Sequence, residues 1–215
     1  MAKILVFGDS IVYGAWDREK EGGWVHRLRK FFDEKHFIKP DFEYSVYNLG
    51  VSGNTTGELL ERFEFETKQR VEEGEEMIII FQIGINDSQF VISQNGLRTL
   101  PEKFRENIKE LISSAKKFSS KVIFIGLTPV DEEKTIPIPW NPDKIYKNEN
   151  IKRNNDIIKS VYRENNIYFI EVFDKWINSD YKNLLEDGLH PNSEGHKKIF
   201  ETVKDFLIQN KIIEF

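Results

Sequence analysis

Two uninterrupted apolar runs, Met77-Ile78-Ile79-Ile80-Phe81 and Val122-Ile123-Phe124-Ile125, restrict what this chain can fold into more than any other feature. A strand with one face in water alternates apolar and polar residues. A run without alternation is buried on both faces, as in a parallel sheet covered by helices. Further mostly apolar runs at 4–7, 44–49 and 167–172 extend the series, and the two central strands are read at 77–83 and 122–127. Helical periodicity fills the gaps. Trp24, Leu28 and Phe31/Phe32 share one face, and Thr55 with Glu58 has capping-box spacing. Pro101 suits a first helical turn ahead of Phe104, Ile108, Leu111, Ala115 and Phe118. A more polar stripe follows over 151–162, and Asn192 or Ser193 caps a last helix carrying Ile199, Val203, Phe206 and Leu207. Strand and helix therefore alternate, which predicts a three-layer α/β/α domain with a parallel sheet and right-handed crossovers, a single domain over 1–215.

Two stretches fit neither period: 88–100, and 129–146 with Pro129, Pro137, Pro139 and Pro142. Both follow predicted strands. They are therefore expected at the carboxyl edge of the sheet, where ligands bind in open α/β folds.

Composition removes several function classes. The chain has no cysteine, which excludes disulfides, zinc thiolates and a cysteine nucleophile. Net charge is −5 and no long basic run occurs, which argues against nucleic acid as a partner. No apolar stretch approaches the roughly 20 residues needed to span a bilayer. The run at 4–7 is too short for a signal-peptide core, so a soluble cytoplasmic protein without membrane insertion is expected. Seventeen Phe against two Met point to a well-specified core. Oligomeric state is not legible.

Candidate chemistry gathers at strand ends. Gly8-Asp9-Ser10 ends the first strand; Ser10 is either an exposed nucleophile there or part of an ordinary turn or helix cap. Asn48-Leu49-Gly50-Val51-Ser52-Gly53 ends the second. Gly53 suits a backbone N–H aimed into a site, or simply a loop that needs glycine, and Ser52 is a competing nucleophile. Gly84-Ile85-Asn86-Asp87 ends the third; Asn86 offers an amide donor, and Asp87 a carboxylate or a cap. Asp187-Gly188-Leu189-His190-Pro191 precedes the last helix, with a spacing that lets Asp187 hold His190 Nδ1 and leave Nε2 as a base. His26 and His36 read as surface or packing residues, and His196 as part of the last helix. No Gly-x-Ser-x-Gly elbow, phosphate loop or Gly-x-Gly-x-x-Gly is present.

Taken in order, these four stretches resemble the SGNH hydrolase superfamily, also called the GDSL esterase/lipase family, over the whole chain. Ile11 stands where the family motif has leucine. The resemblance implies a flavodoxin-like sandwich around a five-stranded parallel sheet of order 2-1-3-4-5. It implies Ser10 as nucleophile, His190 as base and acid, and Asp187 as its orienting carboxylate. The Ser10 and Gly53 backbone N–H groups and the Asn86 side chain would form the oxyanion hole. Asp9 is implied to be structural and Ser52 not to be the nucleophile. The implied activity is hydrolysis of small or short-chain acyl esters through an acyl-serine, including O-acetyl groups on carbohydrate or another small alcohol, with no cofactor or metal. An acyltransferase or thioesterase would use the same residues. A non-catalytic ligand-binding member of the flavodoxin-like fold is the alternative from another class. Tyr13, Trp16 and Trp140 are the candidate substrate-contacting residues, with Ile136 and Ile138 beside them; all of these can equally pack their own loops.

Overall fold

The computed structural model describes residues 2–19 and 21–214. Five strands form the central parallel sheet: β1 (Ala2–Gly8), β2 (Tyr44–Gly50), β3 (Glu76–Gln82), β4 (Lys121–Ile125) and β5 (Tyr168–Ile170). Their order is β2-β1-β3-β4-β5, the doubly wound arrangement expected. Counted with three short strands from the inserts, the same sheet reads two-one-three-six-eight along the chain.

The unbroken apolar runs occupy the middle of this sheet. Every residue of β1 is buried, as is all of β3 beyond Glu76, whereas the edge strand β2 is only partly covered. Register aligns Phe7, Phe81, Phe124 and Phe169 in one row across β1, β3, β4 and β5. Because side chains alternate between faces, this row lies on one side of the sheet. Phe63 packs into it with ring centroids 4.9 Å from Phe7 and 5.4 Å from Phe81.

Eight helices accompany the strands among the described residues: α1 (Ser10–Tyr13), α2 (Gly23–Ile38), α3 (Thr56–Lys68), α4 (Pro101–Ala115), α5 (Glu132–Thr135), α6 (Asn148–Asn165), α7 (Phe173–Ile177) and α8 (Ser193–Gln209). Helix α2 packs on α8, while α3, α4 and α6 pack in series, giving the two outer layers. The capping box at Thr55 is present in full, with the Thr55 N–H donating to the Glu58 carboxylate at 2.7 Å. Pro101 occupies the first turn of α4, and the Asn192 side chain caps α8.

The fifth strand is shorter than the run at 167–172 suggests. Asn166 ends α6 in the left-handed region at φ 49°, and the Ile167 N–H still bonds back to Tyr162. The chain enters α7 at Phe173. The two aperiodic stretches are not featureless. Phe90–Val91, Gly96–Leu97 and Lys144–Ile145 form a three-stranded antiparallel sheet with Phe90–Val91 in the middle.

Candidate active site

Ser10 opens α1 immediately beyond β1. Asp9 is the N-cap of this helix and accepts from the Ile11 N–H at 2.9 Å. Gly8 is required before it, since a Cβ there would lie 2.3 Å from the Gln82 carbonyl oxygen and from a Val12 methyl. Asp9 is therefore a cap, and Ser10 next to it lines the cavity described below. The Asp9 carboxyl is fully buried and its Oδ2 has no partner among the described residues, so burial pushes its pKa up to about 7.

The sheet returns His190 to Ser10 across 180 residues of sequence, and Ser10 Oγ lies 2.9 Å from His190 Nε2. On the other side of the ring, His190 Nδ1 is 2.7 Å from Asp187 Oδ2. With Nδ1–H donating to the carboxylate, Nε2 is left as the acceptor for the Ser10 hydroxyl. The remaining oxygen, Asp187 Oδ1, accepts from the Leu189 and His190 backbone N–H groups at 2.9 and 2.8 Å. Burial works to raise this carboxyl, but the His190 imidazole and these N–H groups outweigh it and hold Asp187 below the usual aspartate value. The tight loop is braced from both ends: the Glu186 N–H donates to the His190 carbonyl, and the Asp131 N–H donates to the Gly188 carbonyl.

The two donor-bearing loops are stitched to each other and to β1. Asn86 Nδ2 donates to the Asn54 carbonyl at 3.0 Å. Asp87 accepts from the Thr56 hydroxyl at 2.6 Å and from the Thr56 N–H, capping the start of α3. Arg62 reaches from α3 to Asn54 Oδ1 at 2.8 Å and to the Gly8 carbonyl at 3.1 Å. Gly53 has φ 83°, and a Cβ there would meet nothing within 4 Å. Its requirement is thus the left-handed backbone and not space.

Ser10, Gly53, Asn86, Asp187 and His190 all line one cavity of about 530 Å³. Ser52 lines it too, with no hydrogen bond to His190. Trp16 and Trp140 stand at its rim, 52% and 53% exposed, and the Trp140 ring centroid is 6.1 Å from that of His190. Ile138 lines the cavity as well, whereas Tyr13 and Ile136 are exposed and do not. Tyr13 ends α1, and its backbone closes against Gly50 on the outer side of the turn. His26 and His36 are on the surface. His196 is fully buried in α8, where burial lowers its pKa and its Nε2 lies 2.9 Å from the Ala15 carbonyl. Among the described residues no group of three or more His, Cys, Asp or Glu side chains could hold a metal ion.

The lining residues with no counterpart in the sequence reading include Gln89, Arg98, Lys144 and Tyr146. Tyr146 is buried and its hydroxyl donates to Asn86 Oδ1 at 2.7 Å while accepting from Gln89 Nε2 at 2.8 Å. Burial raises this phenol above its usual value, so it stays a donor. The only sequence signal for these residues was the pair of aperiodic stretches that contain them.

The comparisons with known proteins identify a carboxylic ester hydrolase. The family model of the GDSL-like lipase/acylhydrolases matches residues 6–198, and the chain belongs to that family. It is 24% identical over 209 residues to an arylesterase of Vibrio mimicus, covering 97% of this chain and 89% of the relative. It is 26% identical over 210 residues to the isoamyl acetate-hydrolyzing esterase of Saccharomyces cerevisiae, covering 91% of this chain and 81% of the relative. The fold is shared with Axe2, an acetylxylan esterase from Geobacillus stearothermophilus, at TM-score 0.70 and 19% identity over 96% of this chain and 92% of that one. No helix among the described residues is long and apolar enough to cross a membrane.

Proposed function

We propose that the protein is a serine esterase acting on small or short-chain acyl esters, with Ser10 as nucleophile, His190 as base and acid, and Asp187 as the orienting carboxylate. The observation that carries this reading is the continuous line Ser10 Oγ, His190 Nε2/Nδ1, Asp187 Oδ2 at 2.9 and 2.7 Å, opening into the cavity that Gly53 and Asn86 also line.

In the acylation step Ser10 Oγ bonds to the ester carbonyl carbon as its proton passes to His190 Nε2. The carbonyl oxygen gains the charge and is held by the Ser10 and Gly53 N–H groups and the free N–H of Asn86. The bond from carbon to the alcohol oxygen then breaks, and His190 returns its proton to the departing alcohol. Water repeats the sequence, releasing the acid and regenerating Ser10. Trp16 and Trp140 at the rim suit an alcohol with a flat apolar face, such as a sugar ring. The acetate and acetylxylan specificities named for two of the similar proteins favour short acyl groups.

Ser10→Ala should lower kcat on 4-nitrophenyl acetate by roughly 10⁶-fold and abolish fluorophosphonate labelling, as loss of a serine nucleophile does elsewhere. Ser52→Ala should keep both. Undiminished turnover in Ser10→Ala would overturn the assignment.

A further inference from the structure

The small antiparallel sheet built by the inserts gives the cavity a wall of its own. Register pairs Val91 with Gly96 and with Lys144, and Phe90 with Leu97 and with Ile145. Side chains alternate along each strand, so Val91, Gly96 and Lys144 face one way and Phe90, Leu97 and Ile145 the other. One step further along all three strands come Gln89, Arg98 and Tyr146. The Arg98 N–H donates to the Gln89 carbonyl at 2.7 Å, which carries the ladder to that row. Two residues from the Lys144 row, these side chains share its face. From that face Gln89, Arg98, Lys144 and Tyr146 line the cavity.

This wall is cationic. Arg98 lines the cavity and pairs with Glu58 at 3.1 Å through one terminal nitrogen, so that pair engages only part of its guanidinium. Lys144 has no carboxylate within ion-pair distance among the described residues. Among the described lining residues Asp187 is the one carboxylate, and it is held by His190.

We infer that the cavity selects esters bearing a negatively charged group, a carboxylate or a phosphate, which Lys144 and Arg98 receive while the ester carbonyl sits at Ser10. The inference rests on the serine-esterase reading and names the substrate class for that site. The acyl half and the alcohol half are both candidates for carrying the charge, and matched pairs separate them.

Mono-4-nitrophenyl glutarate is compared with 4-nitrophenyl valerate, so that the acyl group alone differs in charge. On the alcohol side, 4-acetoxybenzoate and 4-acetoxyphenyl phosphate are each compared with methyl 4-acetoxybenzoate. In at least one pair kcat/KM should favour the anion by about tenfold, with the preference eroding as salt rises. Lys144→Gln should bring that ratio toward one, and Lys144→Glu should invert it. Arg98→Gln should reduce it as well. Circular dichroism and Tm confirm that each variant is folded. If no anion outperforms its neutral partner, or if the preference survives Lys144→Glu, the inference is overturned. Loss of the serine reading is a separate result: neutral ester turnover would then persist in Ser10→Ala.

Discussion

Tyr146 controls the direction in which Asn86 points. An amide side chain can present either its oxygen or its nitrogen, and only the nitrogen stabilises a developing oxyanion. The Tyr146 hydroxyl donates to Asn86 Oδ1, so the NH₂ end is turned the other way, with one hydrogen on the Asn54 carbonyl. Tyr146→Phe should therefore lower kcat on 4-nitrophenyl acetate about tenfold with KM little changed, since one positioning hydrogen bond of roughly 1–1.5 kcal/mol acts in the transition state. Steady-state kinetics decide it, and a change confined to KM would refute the positioning role. Asn86→Ala should cost more, about 10²- to 10³-fold in kcat. The residues that follow a strand directly, Ser10 and Asn86, and the Asp187–His190 pair were legible because strand ends and loop spacing are local properties of sequence. Tyr146 was not, because its role depends on two inserts meeting across 57 residues at Gln89 and 60 at Asn86. Nothing in the composition of either insert encodes that meeting. Tyr13 is the opposite case: proximity to Ser10 in sequence suggested contact with substrate, but Tyr13 ends α1 exposed and does not line the cavity.

Among the elements, the loop between α1 and α2 ties the cavity rim at Trp16 to the start of α8. Asp17 is its hub. Its carboxylate accepts from the Gly23 N–H at 2.9 Å and the Ser193 hydroxyl at 2.7 Å, and it is paired with the buried Arg27. Ser193 Oγ in turn accepts from the Arg18 and Glu19 N–H groups. The loop carrying Trp16 is thereby fastened to the start of α8, three residues after His190. Asp17→Ala leaves the Arg27 guanidinium buried without its principal partner and should cost about 3–5 kcal/mol, the range for breaking a buried pair. Urea unfolding measures the loss, and amide exchange should speed up between residues 14 and 19 ahead of the sheet. The five sheet strands and the principal helices were readable from periodicity alone, because burial on both faces or on one stripe imposes a period. The two-residue strands of the inserts are too short to show any period, so their sheet, and with it the cationic wall, emerges only in three dimensions.

For the molecule as a whole, Asp9, Asp17 and Asp187 are among the groups through which stability varies with pH. At Asp17 the Arg27 guanidinium and hydrogen bonds from Ser193, Gly23 and Glu19 outweigh a large burial penalty, and the pKa falls well below the usual range. Asp187 is likewise lowered. Their contribution is present above the unfolded value of about 3.9 and is lost as pH falls through the lower folded values. Asp9 works in the opposite sense. Its pKa is raised by burial to about 7, so its contribution is complete below about 3.9 and is lost as pH rises through neutrality. Asp9→Asn keeps an oxygen for the Ile11 N–H and removes the charge. Its Tm relative to wild type should therefore improve by about 4 °C or more between pH 5 and pH 8. An unchanged difference across that range would contradict the buried, uncompensated carboxyl. The distance in sequence between Ser10 and His190 has a consequence in time. During synthesis the Ser10 hydroxyl leaves the ribosome 180 residues ahead of the His190 imidazole. Until residue 190 has been made and folded back, the 2.9 Å contact has only one of its partners, and the early turn is no more than the capped start of a short helix.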